Sequence, residues 1–202
     1  MMHMSTRQLL LLTGVFALVS LVLPWWFMQM HAPQYPEGLQ VTVSLFSVKG
    51  DVFEIDDLNH YIGFRPLATV ATVERKVAWL AIPAALLPLL GAVFSLRRRW
   101  AWLTAIPMML IPPFFAVDLA VWMWYAGHHL NPHAALSTSV APWTPHMLGP
   151  GGVGQFHTFG MFDWGFFFAV LSMVGGIVLA IRAAAPGEHE PPSGAPFQHG
   201  HA

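Results

Sequence analysis

Apolar positions run in four long stretches separated by two mixed segments. About 20 predominantly apolar helical residues cross a bilayer core, and residues 8–27, 77–96, 100–126 and 162–182 each meet that requirement. They predict four transmembrane helices, with a short N-terminus (1–7), a tight turn (97–99), two longer loops (28–76 and 127–161) and a Pro/Gly/Ala-rich tail (183–202) expected to be disordered. The first stretch follows Arg7, as the core of a signal peptide would. It is longer than such cores and ends in Pro24-Trp25-Trp26 rather than at a small-x-small cleavage site, so it reads as a retained anchor. In the first loop, polar and apolar residues alternate from Leu39 to Leu45. With Val52-Phe53-Glu54-Ile55 as a return strand, they predict a small β-hairpin. Asp56 or Asp57 is placed to cap a short helix through Leu58–Tyr61. The second loop is rich in His, Pro and Gly and reads as compact and irregular. Its glycines do not form a phosphate-binding loop, because no Gly-Lys-Ser/Thr follows. The expected fold class is an all-α membrane protein of four transmembrane helices carrying a small extracytoplasmic hairpin.

Composition agrees with a membrane setting. The chain is 55% apolar and 9% charged, whereas soluble domains carry about 25% charge. Nine Lys+Arg against ten Asp+Glu leave no basic excess for nucleic acid. The absence of cysteine excludes disulfides, thiolate zinc sites, iron–sulfur clusters and c-type haem attachment. Arg7, Arg97–Arg99 and Arg182 flank the apolar stretches on one side, in short segments where positive charge sets orientation. Lys49, Arg65, Arg75 and Lys76 fall on the other side, in a long loop. Both termini are therefore expected in the cytoplasm and both loops outside. Trp25, Trp26, Trp100, Trp102, Trp122, Trp124, Tyr125 and Trp164 cluster where headgroups are expected.

Histidine and methionine, eleven of each, change the picture further. Thioethers select Cu(I), and imidazole suits copper, zinc and haem iron. Met28, Met30 and His31 sit at the exit of the first stretch, His128 and His129 at the exit of the third, and His157 before the fourth. Together with His60 they form the candidate metal set. His133, His146, Met147 and Met161 share that side, and His199 and His201 sit in the tail. Asp118 is an acid deep in the third stretch, a position where carboxylates face protein or a polar cavity and serve structure or proton relay. Helical spacing aligns it with Trp122, Tyr125 and His129, about 16 Å along the axis from the last of these. No nucleophile–base pair or paired-carboxylate motif stands out, so no enzyme activity is expected.

The strings HAPQYPEGL (from His31), LNHYIG (from Leu58), DLAVWMWYAGH (from Asp118) and PWTPHMLGPGGVGQF (from Pro142) resemble a family of small bacterial four-span membrane proteins. That family is associated with gene neighbourhoods for copper-enzyme maturation, notably nitrous-oxide reductase and its lipoprotein copper chaperone. The resemblance covers about half the chain, including both loops. It implies a bacterial inner-membrane location and a copper-related periplasmic setting. Three functions follow as expectations. The first is a non-enzymatic accessory protein that binds or hands on copper outside the membrane, with a periplasmic or membrane redox or copper protein as partner. The second is a docking subunit of a redox complex without its own metal. The third, a b-type haem protein, would need histidines deeper in the spans.

Overall fold

The computed structural model describes residues 4–185. The chain opens with helix α1 (Thr6–Val22), capped by a reciprocal pair of hydrogen bonds between Ser5 and Gln8. It stops five residues short of the predicted span's end. Leu23 precedes proline and is extended, with φ −97° and ψ 154°, as the clash with the proline ring demands. At 17 residues α1 is about 26 Å long. The residues that follow are strand: β1 (Trp26–Ala32) and β2 (Tyr35–Val43) form a hairpin, and β3 (Val48–Gly50) pairs on β2. The Leu39–Leu45 alternation is therefore a strand, but its partners are β1 and β3.

Val52–Ile55 is not a return strand. It begins helix α2 (Val52–Ile62), which buries Ile55, Asn59 and Ile62 at steps of four and three. Asp56 does not cap this helix; its carboxylate accepts from the Leu67 amide at 2.6 Å and so holds the following turn. Asp51 sits at the N-cap position, but its carboxylate accepts from the Gln40 amide at 2.7 Å and ties α2 to the sheet.

Helix α3 (Thr72–Val93) and helix α4 (Arg98–His128) each contain a 3₁₀ turn near their start, and α4 continues through Pro112 and Pro113. The second loop is not irregular throughout. It ends in a hairpin of β4 (Gly149–Val153) and β5 (Phe156–Phe162), and β5 pairs on β1 from Trp26↔Phe162 to His31↔His157. Helix α5 (Trp164–Ala184) follows, with Asp163 as its N-cap. Of the predicted tail, Ala183 and Ala184 are helical, and residues from 186 onward lie outside the described ones.

The expectation of an all-α protein with four transmembrane helices is thus corrected. The fold is mixed: five helices and a five-stranded antiparallel sheet of order β3-β2-β1-β5-β4 among the described residues. Three helices, α3, α4 and α5, are long and apolar enough to cross a membrane. The first stretch fails as a fourth because Pro24 ends the helix and Trp26 onward joins the sheet.

Small residues bring α1 against its neighbours. Added side-chain carbons at Gly14 and Gly175 would overlap Leu89 and Thr13, and Ser172 donates to the Thr13 carbonyl at 2.9 Å. Trp25 joins helices to sheet. It is fully buried, its indole N–H donates to the Ser20 carbonyl at 2.8 Å, and its ring meets Phe115 edge-on at 5.0 Å. Trp26 is buried too, so the expected interfacial pair belongs to the core. At the other end, Arg182 donates to the Met4 carbonyl and Arg98 to the Arg182 carbonyl, gathering the arginine-flanked helix ends together.

Candidate functional site

The predicted metal ligands divide by strand alternation. Successive β1 side chains point to opposite faces. Met28 and Met30 therefore face inward, where both line a cavity under the sheet, while His31 is exposed on the outer face. His31 and His157 are register partners on β1 and β5, and so share that outer face. The His31 ring rests over Gly38 of β2, where a φ of +87° and the missing Cβ leave it room. His60 is exposed on α2 beside Tyr61. His128 and His129 end α4 and stack on Trp124 and Tyr125, with ring centroids at 5.0 and 4.1 Å.

Backbone carbonyls only accept, so the contacts of His128 Nδ1 to Trp124 O (2.8 Å), His129 Nδ1 to Tyr125 O (2.9 Å) and His146 Nδ1 to Pro150 O (2.7 Å) put the proton on Nδ1. Nε2 of each neutral ring then carries the lone pair. Among the described residues no three His, Asp or Glu side chains are grouped to hold a metal ion. Of the seven predicted ligands, the structure makes neighbours of His31 and His157, of His128 and His129, and of Met28 and Met30 inside the cavity. It does not unite Met28 or Met30 with His31.

That cavity has a volume of about 630 Å³, within the 300–1,000 Å³ range of small-molecule sites. The inner face of the sheet roofs it through Met28, Met30, Val41 and Val43, and α2 contributes Ile55 and Leu58. Its deep wall is α4, from Pro107 to Ala126, about 28 Å of helix axis. The chamber therefore reaches from the sheet well along an apolar helix. The sheet's register explains the apolar roof, since Met28↔Val41 and Met30↔Leu39 place like with like on one face.

Three charged side chains line the chamber: Glu74, Arg75 and Asp118. Trp122 donates its indole N–H to Glu74 at 3.3 Å, linking α4 to α3. The Arg75 guanidinium turns to the carbonyls of Ala68, Val70 and Ala71 rather than to either acid. Asp118, half-buried, accepts no hydrogen bond from the described residues. The stripe expected along α4 is continuous above it: Trp122 meets Tyr125 edge-on at 5.7 Å, Tyr125 stacks on His129, and Arg65 lies 5.1 Å over the Tyr125 ring.

Trp143, from the second loop, also lines the chamber. Its amide donates to the Gly127 carbonyl at 3.2 Å, and its ring packs on Phe64 at 5.7 Å. A Cβ at Gly127 would overlap the Trp143 carbonyl oxygen, so α4 needs a glycine where the loop crosses it. Glu74 and Trp143 escaped the sequence reading. Glu74 stands beside Arg75 and Lys76 and reads as loop charge, and Trp143 is one aromatic among many.

No protein-family model matches the chain, and no curated protein is detectably similar to it.

Proposed function

We propose that this chain is a non-enzymatic membrane accessory protein that holds an apolar small molecule in the chamber between sheet and helices. The observation that carries this reading is the chamber itself: about 630 Å³, lined mostly by hydrocarbon and aromatic side chains, with a few polar groups among them. Such a lining gains from desolvating an apolar guest at about 25 cal/mol per Å². The arginine end faces the cytoplasm of a bacterial inner membrane on this reading, and the sheet faces outward, because Arg7, Arg98 and Arg182 lie at helix ends where positive charge stays inside.

Saturable binding of tritiated decylbenzene, an apolar probe without hydrogen-bonding groups, tests the proposal. The expected stoichiometry is one probe per chain, with affinity lowered severalfold by Leu119→Trp, which narrows the chamber from α4. Binding that rises linearly like detergent partitioning, and is the same in the variant, would refute it.

Copper binding or transfer outside the membrane, in support of a copper enzyme, is the second reading. The adjacency of His31 and His157 favours it, since directly opposed antiparallel residues have Cα atoms about 5 Å apart. Two imidazoles at that spacing can share one ion after a turn of the His31 ring. His157→Ala is expected to lower copper bound per chain if this pair is the site. Unchanged copper in that variant would remove the pair from consideration.

A further inference from the structure

The chamber's polar wall restricts what the guest can be. Glu74 and Asp118 line a mostly apolar space together with Arg75, whose guanidinium is engaged by the backbone carbonyls of Ala68, Val70 and Ala71. A phosphate or carboxylate headgroup brought here would meet two acids. The two acids would repel it as it loses its water, which disfavours ordinary phospholipids and fatty acids as the cognate guest. A guest that brings donors is favoured instead. One neutral donor already occupies this wall, because Trp122 gives its indole N–H to Glu74. A neutral hydroxyl meets these acceptors without the cost of stripping a cation of its water, and an ammonium, which the acids would also attract, is the competing guest that the test below separates. The lining is rich in aromatic rings: Trp122 and Phe115 on α4 beside Asp118, and the packed pair Phe64 and Trp143. Flat faces of this kind suit a planar ring. The remaining lining, running toward Pro107, suits a hydrocarbon tail.

We infer that the chamber's guest is a hydroxylated aromatic ring on an apolar tail, the quinol class, with ring hydroxyls donating to Asp118 and Glu74. This rests on the chamber reading and narrows it. Only binding is assigned; the acids orient the ring and select its reduced, donor-bearing form over the quinone, which only accepts.

The test is competition against tritiated decyl-benzoquinol on the immobilised full chain, kept anaerobic, with four competitors: decyl-benzoquinol, decyl-benzoquinone, decylbenzene and dodecyltrimethylammonium. The quinol is expected to compete at least tenfold better than the other three. Asp118→Leu is expected to weaken quinol competition severalfold while decylbenzene binding is kept, which also shows that the variant folds. Equal competition by quinol, quinone and decylbenzene would overturn the quinol assignment and leave the apolar chamber standing. Stronger competition by the ammonium would overturn it in favour of a cationic guest. Absence of saturable binding by any of the four would overturn both the assignment and the chamber reading.

Discussion

Gly175 and Thr13 meet where α5 packs on α1, and the fit leaves no room for a side chain at the glycine. Within a bilayer, close packing of small residues and interhelical hydrogen bonds replace the hydrophobic effect as the force between helices. Gly175→Val is therefore expected to destabilise the chain by about 1–3 kcal/mol through overpacking. Ser172→Ala, which removes the bond to the Thr13 carbonyl, is expected to cost about 0.5–1.5 kcal/mol. Denaturant unfolding in a fixed detergent measures both, and equal stability of Gly175→Val and the parent would show that the two helices are not in contact. Gly127 is a different case. Alanine there improves helix propensity by about 1 kcal/mol but overlaps the Trp143 carbonyl. The expected result is an unchanged circular dichroism spectrum with severalfold faster release of tritiated decylbenzene, because the Trp143 segment is pushed away from the chamber it lines. Slower release, or the same rate, would remove Trp143 from that role.

Among the elements, period and length decided what could be read from sequence. The three long helices emerge from their apolar runs because about 20 uninterrupted apolar residues have few other fates. Their ends shift by several residues: α3 begins at Thr72 rather than 77, since Glu74, Arg75 and Lys76 are helical although charged. Trp26 and Phe27 read as the end of a span because both are apolar, and only the later Gln29 and His31 show the two-residue period of a strand. The β4 strand is Gly-Pro-Gly-Gly-Val, a composition that disfavours strands, and its place is set by pairing with β5. Val52–Ile55 satisfies both periods over four residues, and the longer Ile55, Asn59, Ile62 spacing decides for helix. The candidate site shared this fate. Its residue types were visible as a surplus of His and Met. Their separation was not, because placing Met30 and His31 on opposite faces requires knowing that they lie on a strand. The chamber needs α2, the sheet and α4 brought together, and no local pattern announces that.

For the whole molecule, the sheet and the arginine cluster occupy opposite ends of the helices. Lys49 lies on β3, and Arg99 lies in the first turn of α4 at the arginine end. The parent has no cysteine, so Lys49→Cys and Arg99→Cys give clean single-thiol variants. A membrane-impermeant maleimide applied to intact cells is expected to label the first, and the second only after permeabilisation. Labelling of both from the same side would contradict the orientation.

The central claim, that the chamber is built to be filled, is tested most directly by what the protein carries out of the membrane. The full chain and Leu119→Trp, purified in parallel in the same detergent, are extracted with organic solvent, and the extracts are compared by mass spectrometry. The account expects close to one equivalent of a single apolar species from the parent and clearly less of it from the variant. Extracts that contain only bulk lipid, in equal amounts from both proteins, would contradict it.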